Sequence, residues 1–265
     1  MDNYIAMIKT VLSFIYVIVS MIFLLPFGLL SLIFYVLGLR KLMKLIIYRL
    51  AQGWAIAIIF FVGCNAVVRG RENIPKKGGI CFVGNHCGFF DIALLLAYCG
   101  RPFGFVAKKE LLFVPFLNAW IYMLGGLFID RLNVRKAIRT INKGVARIKK
   151  GGGMVIFPEG HRSKGRGLLP FHAGSLKLAT QAGAVIVPVA IKGSYDVFEK
   201  NNRVVSTTVN ISFLEVIDTS ALPSEEKKQA LCDRIFTIIE SELESNSAEG
   251  EKEQEQATEV SPGRI

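Results

Sequence analysis

A histidine and an aspartate that could act together lie five positions apart in the segment from Asn85 to Asp91. A neutral imidazole can take the proton from an attacking hydroxyl group, and a carboxylate at the other ring nitrogen can fix the required tautomer. Residues five apart on one continuous helix point to different faces. His86 and Asp91 can therefore meet only if the backbone bends between them, which Gly88 permits. We expect a His–Asp pair suited to general-base chemistry at this bend.

Two further polar clusters also follow apolar runs of the sequence. One combines Lys108 and Lys109 with residues 125–131, and the other spans residues 157–163. Simpler interpretations exist, since Asp91 could be only a helix N-cap and the basic residues could be ordinary surface side chains. However, α/β sheets commonly carry their sites at the carboxyl ends of strands. The repeated placement therefore favours one shared site.

Strand-like apolar runs alternate with helical patterns from residue 80 onward. The strand candidates are residues 80–84, 103–107, 127–129, 154–157, 185–191 and 204–213. The helix candidates are residues 91–99, 115–124, 134–149, 174–182 and 224–242. This alternation predicts an α/β domain over residues 69–243, with a mixed, largely parallel central sheet flanked by helices. Residues 244–265 form an acidic tail that we expect to be disordered.

The first 68 residues are predicted to form an apolar, helical membrane anchor. No charged residue occurs between positions 10 and 38 or between positions 51 and 68, and a basic stretch separates these two runs. The first run is longer than the roughly 30 Å hydrocarbon core of a bilayer requires. One span, or a hairpin followed by an interfacial helix, would keep the basic regions on the cytoplasmic side. We expect a membrane protein with a cytoplasmic active site. The choice between one span and a hairpin with an interfacial helix stays open.

The composition narrows the class of partner. A net charge of +11 beside a hydrophobic fraction of 52% indicates contact with an anionic membrane surface or with phosphate-bearing substrates. The sequence has no nucleic-acid recognition motif and no basic helix interleaved with stacking aromatics, so we expect no nucleic-acid partner.

The five cysteines lack CxxC spacing, which favours buried free thiols over a zinc site or a disulfide framework. We expect no metal site.

The ordered motifs resemble those of the glycerolipid acyltransferases with the motif N-H-x-x-x-x-D, which is found here at residues 85–91. The resemblance continues through K-K-E-L at 108–111, G-x-F-I-D-R at 126–131, F-P-E-G-x-R-S at 157–163 and V-P-V-A-I at 187–191. These blocks keep the family's order and spacing over residues 80–192. The 1-acylglycerol-3-phosphate (lysophosphatidate) acyltransferases are the most similar members in length and in their apolar N-terminus.

The resemblance implies transfer of an acyl group from acyl-CoA or acyl-carrier protein to the free hydroxyl of lysophosphatidate, giving phosphatidate without a cofactor. It implies that His86 is the general base and that Asp91 orients it. The family's phosphate-binding role falls on Lys108, Arg131 and Arg162, and its acceptor-positioning role on Glu159, Gly160 and Ser163.

Several alternatives remain at this point. The same His–Asp pair could acylate glycerol 3-phosphate or another lysolipid, or the chain could be a catalytically silent, membrane-binding relative. A covalent route through Cys87 is disfavoured, because adjacent side chains on extended backbone point apart. The chain departs from the family at His161, where threonine is usual, and at His172, where many relatives have lysine. Both lie near the presumed acceptor pocket, so they leave the identity of the acceptor open.

Overall fold

The computed structural model describes residues 2–222 and 229–259. The helices are α1 (Asp2–Leu30), α2 (Ile33–Val36), α3 (Arg40–Val62), α4 (Phe90–Tyr98), α5 (Leu117–Met123), α6 (Val134–Lys149), α7 (Lys177–Thr180) and α8 (Gln229–Glu259). The strands are β1 (Asn65–Arg69), β2 (Ile80–Gly84), β3 (Phe103–Lys108), β4 (Leu127–Ile129), β5 (Gly153–Ile156), β6 (Val185–Lys192), β7 (Thr208–Phe213) and β8 (Ile217–Asp218).

The strands form one mixed sheet in the order β1-β7-β6-β2-β5-β3-β4, and β8 also pairs with β6. Most neighbours are parallel, whereas β6 runs antiparallel to β7 and β8. The predicted fold class is confirmed. The central strands β2 and β5 are buried along their whole length, which explains why they appear in the sequence as continuous apolar runs.

The sheet begins earlier in the chain than the sequence suggested. Helix α3 ends at Val62, where Gly63 adopts a left-handed conformation (φ 70°), and β1 then runs parallel to β7. The boundary that we placed after residue 68 therefore falls inside β1. The strand was overlooked because its residues continue the uncharged run of α3, and its parallel partner lies more than a hundred residues later.

Helices cover the two faces of the sheet. One face packs against α3 and α4, and the other against α6, α7 and α8. Helix α3 is tied to α4 by hydrogen bonds from Tyr48 Oη to the Leu96 carbonyl (3.3 Å) and from Gln52 Nε2 to the Ala97 carbonyl (2.9 Å). Helix α3 is therefore part of the core of the α/β domain, although its sequence is apolar enough to suggest an anchor.

Helix α1 packs antiparallel to α3 and keeps much of its apolar surface exposed. The two are joined by a hydrogen bond from Trp54 Nε1 to Ser20 Oγ (2.9 Å) and by the stacked rings of Tyr16 and Phe61. By length and composition, the segments Tyr4–Val36 and Arg40–Val62 could each cross a membrane, but only 11% of an apolar 18-residue stretch of the first is buried, against 44% of such a stretch in the second. Helix α1 is continuous through Pro26, so the first apolar run is not folded into the hairpin that was one of the two predicted arrangements, and the exposed apolar surface lies mainly on α1.

The acidic tail is helical over most of its length. Helix α8 continues to Glu259, so residues 244–259, for which we expected disorder, are helical in the structure, and 260–265 lie outside the described residues. Leu231, Ile235 and Ile239 pack the start of α8 against the sheet. The glutamate, glutamine and alanine residues that suggested disorder are also good helix formers, so a helix anchored at its start can continue through them.

Candidate active site

The residues singled out from the sequence lie at one edge of the sheet. His86 follows β2, Glu159 follows β5, Lys108 ends β3 and Arg131 follows β4. These four strands are parallel neighbours, so their carboxyl ends meet at the same edge. The topology thus brings together residues as far apart in the sequence as His86 and Glu159, which are separated by 73 positions.

His86 and Asp91 form the pair that the spacing predicted. Nδ1 of His86 lies 2.6 Å from Oδ2 of Asp91. The backbone leaves β2, bends over residues 85–89 and enters α4 at Phe90, so the two side chains face each other. The imidazole also stacks on the ring of Phe157, with centroids 4.1 Å apart. The side chain of His86 is 20% exposed, and its Nε2 has no hydrogen-bond partner among the described residues. One ring nitrogen is thus anchored, and the other is left without a described partner in a side chain that is partly exposed.

Asp91 is fully buried, and each of its oxygens has hydrogen-bond donors. Oδ2 accepts from the backbone N–H of Cys87 (2.8 Å) and of Gly88 (3.1 Å), and Oδ1 accepts from the hydroxyl of Ser194. These donors offset the cost of burying the carboxylate. Asp91 lies in the first turn of α4, where it closes the preceding bend and holds His86, so helix capping alone does not describe its environment.

Asn85 ties the end of β2 to β6. Its side chain donates to the carbonyl of Ile191 (2.8 Å) and accepts from the N–H of the same residue (2.8 Å). Asn85 is buried, so both of its polar atoms need these partners. The asparagine of the motif therefore fixes the position from which His86 projects.

Glu159 contacts backbone rather than a basic side chain. Its Oε1 accepts from the N–H of His86 (2.6 Å) and its Oε2 from the N–H of Leu169 (3.2 Å). The resemblance implied an acceptor-positioning role for this carboxylate, and its described hydrogen bonds brace the loop that carries His86. Burial raises the pKa of Glu159 to about 7, with a smaller contribution from Asp91, while the two N–H donors oppose the rise.

Cys87 belongs to this loop, and Ser163 is hydrogen-bonded to it. The N–H of Ser163 donates to the carbonyl of His86 (2.7 Å). The thiol of Cys87 lies 3.4 Å from the carbonyl of Ile191, and its pKa is raised to about 12 by burial and then by the charges of Asp91 and Glu159. The thiol is therefore held in its protonated form.

The three candidate phosphate-binding residues have different surroundings. Arg131 is exposed and donates to the carbonyl of Gly160, which has a left-handed backbone (φ 76°). Lys108 is exposed. Among residues 2–222 and 229–259, no described hydrogen bond or ion pair joins its side chain to Arg131, Arg162 or His86. Its neighbour Lys109 pairs with Asp130 at 3.1 Å, which lowers the pKa of that carboxyl.

Arg162, the third candidate, is held by two residues. It forms an ion pair with Glu199, and its Cζ lies 3.6 Å from the centroid of the Phe89 ring. The two residues in which the sequence departs from the family are both exposed. His172 lies next to Gly160, since a Cβ on that glycine would be 3.5 Å from His172 Cδ2.

Sequence reasoning missed Ser194 and Glu199. Both lie in the connection between β6 and β7, and no motif marks them. The one available signal was their position, because residues that follow β6 leave the sheet at the same edge as His86.

Among the described residues, no group of three or more histidine, cysteine, aspartate or glutamate side chains could hold a metal ion.

Comparison with known proteins places this fold and site in a family. A family model described as Acyltransferase matches residues 65–192. The 1-acyl-sn-glycerol-3-phosphate acyltransferase of Borreliella burgdorferi is 30% identical over 186 residues, covering 69% of this chain and 74% of the relative. The enzyme of the same name from Escherichia coli K12 is 34% identical over 192 residues, covering 71% and 78%.

A solved structure supports the same assignment. The crystal structure of the 1-acyl-sn-glycerophosphate (LPA) acyltransferase PlsC from Thermotoga maritima superposes with a TM-score of 0.82 at 26% identity, over 94% of this chain and 98% of that one. The motifs, the sheet topology and these relatives all agree. The chain belongs to the 1-acyl-sn-glycerol-3-phosphate acyltransferase family and is an O-acyltransferase.

Proposed function

We propose that this protein transfers an acyl group from an acyl thioester, acyl-CoA or acyl-carrier protein, to the free hydroxyl of 1-acylglycerol 3-phosphate, giving phosphatidate. The observation that carries the proposal is the His86–Asp91 pair, 2.6 Å apart, in which the imidazole side chain is 20% exposed and its second nitrogen has no described partner. The acceptor follows from the names of the curated relatives. The reaction needs no cofactor.

The geometry supports direct transfer with His86 as general base. Nε2 takes the proton of the acceptor hydroxyl as its oxygen attacks the thioester carbonyl, a role worth about 10²–10⁴-fold in rate. Asp91 accepts the Nδ1–H and stabilises the imidazolium that forms. Collapse of the tetrahedral intermediate breaks the C–S bond, and the imidazolium returns the proton to the departing thiolate.

A protein nucleophile has little support in this site. Cys87 is the nearest thiol to His86 in the sequence, but its pKa of about 12 leaves almost no thiolate at neutral pH. The imidazole is also paired with Asp91 rather than with the thiol. Direct attack by the lipid hydroxyl is the simpler route.

The acceptor phosphate is assigned to the basic residues at the same edge of the sheet. Lys108, Arg131 and Arg162 supply the cations, and the planar guanidinium groups suit phosphate oxygens. In the loop after β5, the carbonyl of Gly160 accepts from Arg131 and the N–H of Ser163 donates to the carbonyl of His86, and we assign both residues to positioning of the acceptor. Glu159 contributes to positioning through the backbone of His86.

The exposed apolar surface of α1 supports residence in a membrane, where the lysolipid acceptor and the phosphatidate product both partition. The chain has a net charge of +11, which suits the anionic surface of the cytoplasmic leaflet. We therefore assign the active site to the cytoplasmic face of the membrane. Membrane phospholipids are then the expected surroundings, and we assign no nucleic-acid partner.

Thiol release by the purified full-length chain tests the proposal. The donors are acyl-CoA and acyl-carrier-protein thioester, and the acceptors are lysophosphatidate, glycerol 3-phosphate and lysolipids with other head groups. We expect thiol release that depends on lysophosphatidate, with phosphatidate as the product. A strong preference for another acceptor would refute the assigned substrate, and no release with any donor–acceptor pair would refute the enzymatic role.

A further inference from the structure

Glu199 joins the two functional parts of the site. It lies in the connection between β6 and β7, and its two carboxylate oxygens have different partners. Oε1 accepts from Nη1 of Arg162, and Oε2 accepts from the backbone N–H of Phe89 at 3.0 Å. Phe89 lies two residues before Asp91. One carboxylate therefore connects a candidate phosphate-binding arginine to the bend that carries the His–Asp pair.

Two residues fix the guanidinium of Arg162, one through a hydrogen bond to its edge and the other by stacking on its face. Glu199 bonds to its edge, and the ring of Phe89 lies under its plane, with Cζ 3.6 Å from the ring centroid. A guanidinium has five N–H donors, and the described contacts of Arg162 use only Nη1. The arrangement fixes the plane of the group and leaves donors for a phosphate, which it can bind with two parallel hydrogen bonds.

The bend is shaped to admit Glu199. A Cβ on Gly88 would lie 2.3 Å from Oε2 of Glu199 and 3.2 Å from the carbonyl oxygen of Ser194. The neighbouring Ser194 donates its hydroxyl to Asp91. The β6–β7 connection thus supports the site at two points, one on each functional part. Both residues lie beyond residues 65–192, the segment that the family model matches.

We propose that Glu199 is a positioning residue that holds Arg162 at a set distance from His86, so that the acceptor is selected by the spacing between its phosphate and its free hydroxyl. The inference rests on the proposed function, because it takes Arg162 to be a phosphate ligand. Glu199 acts through Arg162 and contacts neither the thioester nor the hydroxyl.

Substitution of Glu199 should separate acceptor binding from the chemical step. We expect Glu199→Ala to raise the KM for lysophosphatidate roughly tenfold or more, as for a lost hydrogen bond to a charged group. The KM for acyl-CoA should stay within about twofold, because the donor does not depend on Arg162. Glu199→Gln retains one acceptor oxygen and should fall between the wild type and the alanine variant.

A matched control is available in the same connection. Asp196 pairs with Lys200 at 3.1 Å on the surface, and none of its described side-chain hydrogen bonds or ion pairs is with a residue of the site. Asp196→Ala removes a carboxylate and an ion pair from the same segment, and we expect it to leave both KM values unchanged. If Asp196→Ala raised the acceptor KM as much as Glu199→Ala, the effect would be general to the loop and the proposal would be overturned.

A double-mutant cycle tests whether Glu199 acts through Arg162. In an Arg162→Ala background, Glu199→Ala should have no further effect on the acceptor KM, since its target has gone. Additive effects would contradict the proposal, as would a lower KM in Glu199→Ala, which would mean that the carboxylate competes with the phosphate.

Measuring the wild type alongside the variants separates the positioning role of Glu199 from the proposed function of the protein. Normal turnover of lysophosphatidate with an unchanged Glu199→Ala refutes only the positioning role, whereas a wild type that does not turn over lysophosphatidate refutes the proposed function and this inference with it.

Discussion

The proposed catalytic bend and the proposed phosphate-binding residues occupy the same edge of the sheet but are built differently. In the bend, Asp91 is fully buried and bonded to two backbone N–H groups and a hydroxyl, and Glu159 braces the other side of His86. By contrast, Arg131 and Lys108 are exposed, and the exposure of the Arg162 side chain is 26%. The proposed base is thus fixed before substrate arrives, whereas the proposed phosphate ligands depend on a few contacts from distant segments.

This difference has a physical reason. A general base must hold one nitrogen within hydrogen-bond reach of the hydroxyl proton, so a small displacement has a large effect on rate. A charged phosphate attracts cations over a longer range and tolerates more adjustment. Substitutions in the bend should therefore change kcat, and those among the basic residues should change the acceptor KM. The predictions below test that division.

The largest effect is expected at His86. His86→Ala removes the base and should lower kcat by about 10³-fold, within the range of general-base contributions. Cys87→Ser is the control, because it alters the adjacent side chain and should leave kcat within about twofold if no thiol nucleophile takes part. Phosphatidate formation at saturating acceptor measures both. The opposite pattern, with an inactive Cys87→Ser and an active His86→Ala, would reverse the assignment.

The next effect is expected at Asp91. Asp91→Asn keeps the shape but loses the charge that stabilises the imidazolium, and it can leave the proton on the wrong ring nitrogen, so we expect kcat to fall about 10²-fold or more. Ser194→Ala removes one donor to the same carboxylate and should have a smaller effect on kcat. Thermal melting of both variants checks that the fold is intact. Asp91→Asn with more than half of the wild-type kcat would show that the pair is only structural.

A change in substrate affinity is expected at Arg162. Arg162→Ala should raise the acceptor KM roughly tenfold or more and leave the KM for the thioester nearly unchanged, because only the acceptor phosphate loses a ligand. Arg135→Ala, which removes an exposed arginine of α6, provides a control for net charge. Equal changes in both KM values would contradict the assignment.

The smallest expected effect concerns stability and pH at Glu159. The pKa is raised from 4.5 to about 7, so between these values the folded protein binds more protons than the unfolded chain. Stability therefore falls as pH rises through this window, by up to about 3 kcal/mol for this group. Glu159→Gln does not titrate. Urea unfolding at several pH values should show the wild type losing stability relative to the variant from pH 4.5 to 7, and parallel pH profiles would contradict the raised pKa.

Much of the fold was predictable because its information is local. The strands β2, β3, β4 and β6 and the helix α6 were placed to within a residue or two by apolar runs and helical periodicity. The His86–Asp91 pair followed from spacing and one glycine. The free state of all five cysteines likewise agrees with their spacing.

The rest depended on contacts between distant segments. Strand β1 is defined by pairing with β7, and the role of α3 as a core helix is set by its hydrogen bonds to α4. The motif suggests that Glu159 contacts the acceptor, but in the fold its carboxylate oxygens accept hydrogen bonds from backbone N–H groups. Ser194 and Glu199 have no local signature, and only the folded β6–β7 connection brings them to Asp91 and Arg162.

Rapid-quench measurement of thiol release without acceptor tests the central claim of direct transfer most directly. The enzyme is mixed with acyl-CoA alone, and free thiol is measured against enzyme concentration before lysophosphatidate is added. If His86 activates the lipid hydroxyl and no acyl-enzyme forms, no stoichiometric burst of thiol appears until the acceptor is present. A burst of one thiol per enzyme that disappears in Cys87→Ser would contradict the account.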